Sequence, residues 1–155
     1  MVKKEIDRIL TGICQSRTVV DVELPMPPTS NKIYRNIPGK GRALTKEAYA
    51  WRTRAVNTIS KSGDLVLNKF SLSEQYGLYL VFKFSDIQNK GWEKGKSSSK
   101  WKRIDLSNRI KLLEDAIKYA TGIDDSSTFV LFCAKTKTVR EPSVNVSLRC
   151  FRSGT

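Results

Sequence analysis

The chain has 155 residues, a formal net charge of +13 and a pI near 9.9. That is the size of one domain with its own core, and a clustered charge balance that calls for a polyanionic partner, most often nucleic acid. Histidine is absent, which excludes a Ser-His-Asp triad, a Cys-His pair, histidine zinc sites and nucleases built on a histidine base.

Acid–base or metal chemistry must therefore come from Asp, Glu, Lys or water. Cys14, Cys133 and Cys150 form no C-x-x-C pair, and their odd number argues against a disulfide framework. No apolar run approaches the roughly 18 residues of a membrane span; the longest, at 76–84, is broken by Lys83. The N-terminus is charged and lacks an apolar signal core. These features lead to the expectation of a soluble cytoplasmic protein with no membrane partner.

In chain order, Ile6, Ile9, Leu10 and Ile13 recur at helical spacing, with Gly12 weakening the end. Residues 1–17 are expected to form a helical extension and residues 18–155 the main domain. Val20, Val22 and Leu24 alternate with Val19, Asp21 and Glu23, which predicts a strand stopped by Pro25, Pro27 and Pro28. The next segment joins short polar donors, a ring and an arginine in Asn31, Tyr34 and Arg35, a mixture suited to phosphate and sugar contacts. An ordinary turn with Asn31 bonding its own backbone is the alternative. Residues 36–42 read as a mobile basic loop. Thr45 caps a helix whose apolar face carries Tyr49, Val56 and Ile59 and which ends near Gly63. Residues 64–75 form a connector in which Leu65 and Leu67 are candidates for core packing.

Tyr76 to Phe84 is a strand of aromatic and branched residues. Residues 86–102 interleave five lysines, Lys100 and Lys102 among them, with Trp92 and Trp101. That composition suits stacking plus phosphate contact in a loop that orders on binding; the alternative is a solvated loop with its indoles folded back. A helix follows Asp105, with Ser107 able to cap it. Leu106, Ile110, Leu113, Ile117 and Ala120 share its apolar face, Ser107, Lys111, Glu114 and Lys118 one flank, and Gly122 ends it. Thr128 to Lys137 is apolar on both faces through Ala134, as in a central strand, and Lys135 and Lys137 mark its exposed end. Ser143 to Phe151 is the last strand, joined to its predecessor by a hairpin-like link at Glu141-Pro142. The expectation is a single α/β domain of the α+β type, a mixed sheet with helices packed on it, in the order α-β-α-β-α-β-β.

Asp105, Asp124 and Asp125 are the acids placed to converge. A helix of about 16 residues spans roughly 24 Å, so Asp105 and Asp125 meet only if the chain after Gly122 doubles back or if Asp105 sits on a segment folded along the helix. A site at the sheet edge is another alternative. Converged carboxylates beside phosphate call for Mg²⁺, a hard ion that takes carboxylate, water and phosphate oxygens, with Lys111 adding charge toward a developing phosphorane. Against this stands a purely structural reading: Asp105 as a helix-start acid, Asp124-Asp125 as a turn, and Lys111 on a solvated face.

Residues 24–31 (LPMPPTSN) with Tyr34-Arg35, the run from Arg103 to Lys111, and Gly122-Ile123-Asp124-Asp125 together resemble the RusA-like Holliday junction resolvases. The resemblance spans residues 19–151. It implies a homodimeric, metal-dependent endonuclease of phage or prophage type that cuts four-way DNA junctions by paired nicks, with Mg²⁺ as cofactor. Asp105 and Asp125 match the family's first and last metal-site aspartates, Lys111 its essential lysine, and Asp124 accompanies Asp125. Arg103, Lys100 and Lys102 join Asn31, Tyr34, Arg35, Lys135 and Lys137 as expected DNA contacts. One position departs from the family's Asp-x-Asp-Asn, because Ser107 stands at the second acid. Three outcomes follow: a water held by Ser107, substitution by another acid, with Glu114 preferred over Asp115, or weakened or lost cleavage. A non-catalytic branched-DNA-binding protein is therefore the rival reading, and a basic RNA-binding module using the Trp92 and Trp101 loop a remoter one.

Overall fold

The structure is a computed structural model that describes residues 3–5, 8, 11, 16–29, 32–62 and 74–151. Its elements are β1 (Arg17–Pro25), β2 (Tyr34–Ile37), β3 (Gly41–Leu44), helix α1 (Lys46–Ser60), β4 (Gln75–Phe84), helix α2 (Ser107–Thr121), a 3₁₀ turn (Asp125–Ser127), β5 (Thr128–Lys137) and β6 (Ser143–Phe151). The main sheet has four strands in the order β1-β6-β4-β5, antiparallel except for the parallel pair β4–β5. This is the expected mixed sheet with helices packed on it. The described N-terminal residues 3–5, 8 and 11 are helical, whereas Ile6, Ile9, Leu10, Gly12 and Ile13 lie outside the described residues, as do Leu65 and Leu67.

One face of the sheet supplies the core. Val20 and Leu24 of β1, Val144, Val146 and Leu148 of β6, and Leu78, Leu80 and Phe82 of β4 are all buried and lie side by side in register. This is the period-2 alternation read from the sequence. Ala48, Trp51, Ala55 and Ile59 of α1 and Leu112, Leu113, Ala116 and Ile117 of α2 complete the cluster.

Several expectations need correction. Tyr49 is exposed and Trp51 takes its place on the buried face of α1, because Trp51 alone lies at helical spacing with Ala48, Ala55 and Ile59. Thr45 does cap α1, accepting from the Ala48 amide at 3.2 Å. Residues 36–42 are mostly strand: β2 and β3 form a hairpin turned through Pro38, Gly39 and Lys40, with Gly39 and Gly41 at positive φ. Strand β5 is an edge strand, not a central one, and the turn after it does not make a β5–β6 hairpin, because β4 lies between them. A parallel β4–β5 pair requires a crossover, and residues 86–127, carrying α2, provide it.

The prolines after β1 have a second effect. Proline carbonyls remain acceptors where the ladder stops, and a donor from each helix takes one: Trp51 Nε1 of α1 donates to the Pro25 carbonyl at 2.9 Å and Arg109 Nη1 of α2 to that of Pro27 at 2.8 Å. The Met26 amide between them donates to the Pro142 carbonyl, just before β6, at 3.3 Å. The segment leading to Tyr34 and Arg35 is thereby fixed against both helices.

Candidate active site at the two ends of helix α2

The start of α2 is made by Asp105. Its Oδ1 accepts the Ser107 amide at 2.9 Å, while the helix-start residue Leu106 offers no side-chain cap. The expectation that Ser107 caps the helix is thus corrected: Asp105 satisfies the orphan donor, and the Ser107 side chain stands exposed. Two residues further on, Arg109 is buried at 8% exposure, with its guanidinium 5.6 Å from the Phe84 ring centroid. Burial lowers its pKa and the nearby Asp105 charge opposes that shift.

The end of α2 is built differently. Gly122 adopts the left-handed conformation at φ 77° and its amide closes on the Lys118 carbonyl at 2.8 Å, a geometry glycine adopts without strain. The chain then doubles back. Asp125 Oδ2 meets Lys111 Nζ at 2.7 Å, three helical turns before the end. Lys111 also lies 3.8 Å from Asp115, and Lys118 pairs with Asp124. The hydrogen bond to Asp125 is the main reason the Lys111 pKa is raised. Lys118, followed by the Ser126 amide, holds Asp124 well below the usual carboxylate range. Burial instead pushes Glu114 up, against the pull of Lys111. Glu114, Asp124 and Asp125 line one small hollow, floored by Leu78, Ile117, Ile123 and Leu148.

The reversal thus carries Asp125 back along the helix as far as the Lys111 side chain. Lys111 comes six residues after Asp105, about 9 Å along a helix axis, and its side chain reaches Asp125. Asp105 still stays apart: among the described residues no three acids converge in a group that could hold a metal ion. Residues 25–149 match the profile of Endodeoxyribonuclease RusA.

The chain belongs to the RusA endodeoxyribonuclease family. No curated protein matches it. RusA nucleases act on Holliday junction DNA and in general depend on divalent metal. The hollow at the end of α2 offers the hard carboxylate oxygens that such an ion takes, with Asp125 and Asp124 each paired to a lysine there. The acids of this RusA chain that line it are Asp125, Asp124 and Glu114, and they do not by themselves form a three-acid group that could hold a metal ion.

The expected DNA contacts of the RusA chain are spread over three elements. Tyr34 and Arg35 begin the hairpin, where the Arg42 guanidinium lies 5.6 Å from the Tyr34 ring; Asn31 lies outside the described residues. Lys100 and Arg103 are exposed, Lys100 Nζ lying 5.1 Å from the exposed Trp101 ring. Lys102 is partly engaged, 2.9 Å from Asp86. The loop carrying them is more structured than its composition suggests: Gln88 bridges Trp101, and Asn89 Nδ2 donates to the Ser99 and Trp101 carbonyls at 2.8 and 3.1 Å. Lys135 and Lys137 are exposed at the end of β5.

Two residues of the site carry roles the sequence reading did not assign. Lys118 was legible as a member of the Ser107–Lys111–Glu114 flank, but its pairing with Asp124 depends on the reversal behind Gly122. Arg109 sits three residues after Leu106 and four before Leu113, so a charge on the apolar stripe was its signal.

Proposed function

We propose that this chain is a Mg²⁺-dependent endonuclease that resolves four-way DNA junctions as a homodimer, by paired nicks in recombination and repair. The carrying observation is the Lys111–Asp125 pair, which the reversal behind Gly122 brings onto the flank of Glu114. Such an ion supplies an activated water and charge stabilisation at the departing oxygen of a phosphodiester. The chain's own residues do the rest. Asp125, with Asp124 and Glu114, offers ligand oxygens, and Asp105 offers another at the approach of the strand. Lys111 holds Asp125 in place and presents a cation toward the phosphorane. Lys100, Arg103, Lys135, Lys137 and the Tyr34–Arg35 hairpin bind the backbone, with Lys102 and Asn31 beside them. In this reading residues 1–17 are an extension to a catalytic domain of 18–155, and the protein works in the bacterial cytoplasm on phage or prophage DNA. Among the described residues no helix is long and apolar enough to cross a membrane.

The test is a synthetic four-way junction and a linear duplex of the same sequence, each with and without Mg²⁺. Symmetric nicks on the junction alone, and only with the metal, are expected. Metal-independent nicking, or equal cutting of the duplex, would overturn the reading. A second reading rests on Ser107: an exposed hydroxyl replaces the carboxylate of the family pattern, and among the described residues no three acids form a group that could hold a metal ion. In that case the protein binds the junction and leaves it intact.

A further inference from the structure

The main sheet has two outer strands, β1 and β5. An outer strand exposes unpaired backbone groups, and proteins protect it with charges, prolines or bulges. Strand β1 carries all three: Arg17, Asp21, Glu23 and Pro25 lie along it, and its register slips between Thr18 and Val20. Strand β5 carries neither charge nor proline over residues 128–134, which read TFVLFCA, and its register against β4 slips once, at Phe129. Its large side chains are uncovered, with Phe129, Leu131 and Phe132 exposed by 64%, 49% and 52%. They alternate between the two faces: Leu131 pairs with the buried-face residue Leu78, and Phe132 with Tyr79 on the opposite face. Both faces of this edge are thus apolar and open.

We infer that β5 pairs antiparallel with β5 of a second copy of this chain, about a two-fold axis through Leu131, to make one continuous sheet. The inference rests on the homodimer of the proposed function and locates its interface. Charge selects the occupant. Two chains of +13 repel, so their contact has to be neutral, and TFVLFCA is an uncharged stretch at a sheet edge. The same lack of charge makes it a poor surface for DNA. A two-fold antiparallel pair places some residue opposite itself, and Leu131 is the midpoint of the uncharged stretch. Phe129 then faces Cys133 of the second copy, and Val130 faces Phe132, so each apolar group meets another. The axis is perpendicular to the sheet, which leaves both helix-covered faces, and both Glu114–Asp125 hollows, on the same side. That is the arrangement a protein needs to address two strands of one junction.

The test is analytical ultracentrifugation of the full chain at micromolar concentration, with circular dichroism as the check on folding. Wild type is expected to be a dimer. Leu131→Lys, a charge of the kind natural edge strands carry, should weaken the dimer by roughly 100-fold or more, since each substitution counts twice about a two-fold axis. A second variant needs no loss of stability. In a Cys14→Ser, Cys133→Ser background, Leu131→Cys places its sulfur opposite its own copy, and mild oxidation should give a disulfide-linked dimer. A Leu131→Lys protein that stays dimeric, or a dimeric Leu131→Cys protein that does not cross-link, overturns this interface while the homodimer stands. A monomeric wild type overturns both, and leaves the edge for a strand from a different protein.

Discussion

Helix α2 has an acid at each end, and the two are held in opposite ways. At its start exposed Asp105 caps the helix with its own carboxylate, near the Arg109 charge. At its end Asp124 and Asp125 are each closed against a lysine of the helix flank, beside a partly buried Glu114. The first acid is fixed by backbone and open to solvent; the others are neutralised by side chains that can swing away. At the far end, Lys111 and Lys118 are the groups that an arriving cation would have to displace from Asp125 and Asp124.

If the two ends serve one reaction, removing either acid should be equally damaging. Asp105→Asn and Asp125→Asn are each expected to lower Mg²⁺-dependent junction nicking by roughly 10³-fold or more, with junction affinity in a gel-shift assay unchanged. Near-wild-type nicking by Asp105→Asn would confine the chemistry to the far end. Lys111→Met follows with a loss of about 10² to 10³ in kcat. An effect on KM alone would reduce Lys111 to a DNA contact.

The next change adds an acid where the family pattern has one. Ser107→Asp should lower the Mg²⁺ concentration for half-maximal nicking by roughly tenfold, and should rescue Glu114→Gln if Glu114 now substitutes for the missing carboxylate. No rescue would separate the two residues. The smallest effect concerns pH. The folded Glu114 pKa lies above its ordinary value because of burial. The charged form therefore opposes folding, with no contribution at low pH, a cost that grows as pH rises from the unfolded value to the folded one, and a constant cost above it. Glu114→Gln, measured in EDTA, should raise Tm by roughly 2–4 °C at pH 7.5 and leave it unchanged at pH 3.5. An equal gain at both values would show that packing, not ionisation, is responsible.

The period-2 strands were legible because burial on one face writes itself into alternation: Leu78, Leu80 and Phe82 are as buried as they read. Strand β5 misled for the same reason. Apolar residues on both faces signal burial on both faces, and within one chain that burial is absent at Phe129 and Phe132. The hairpin at 34–44 escaped notice because its residues do not alternate; backbone pairing and two glycines at positive φ hold it. At the site, the acids and Lys111 could be picked out, but their meeting could not. It depends on the direction the chain takes after Gly122, which a list of residue types does not carry. The capping oxygen likewise came from Asp105 and not from Ser107, since both are good caps and the deciding factor was where the first turn began.

Arg109 has a consequence for how the molecule opens. Its guanidinium is shut away from water, bonded to the Pro27 carbonyl and set against Phe84. The first turn of α2 cannot fray without pulling that cation from its acceptor, and the prolyl segment cannot lift without abandoning it. The two therefore behave as one cooperative unit. In native-state hydrogen exchange the amides of Met26 and Ile110 should share one opening free energy, and neither the prolyl segment nor the first turn of α2 loosens alone.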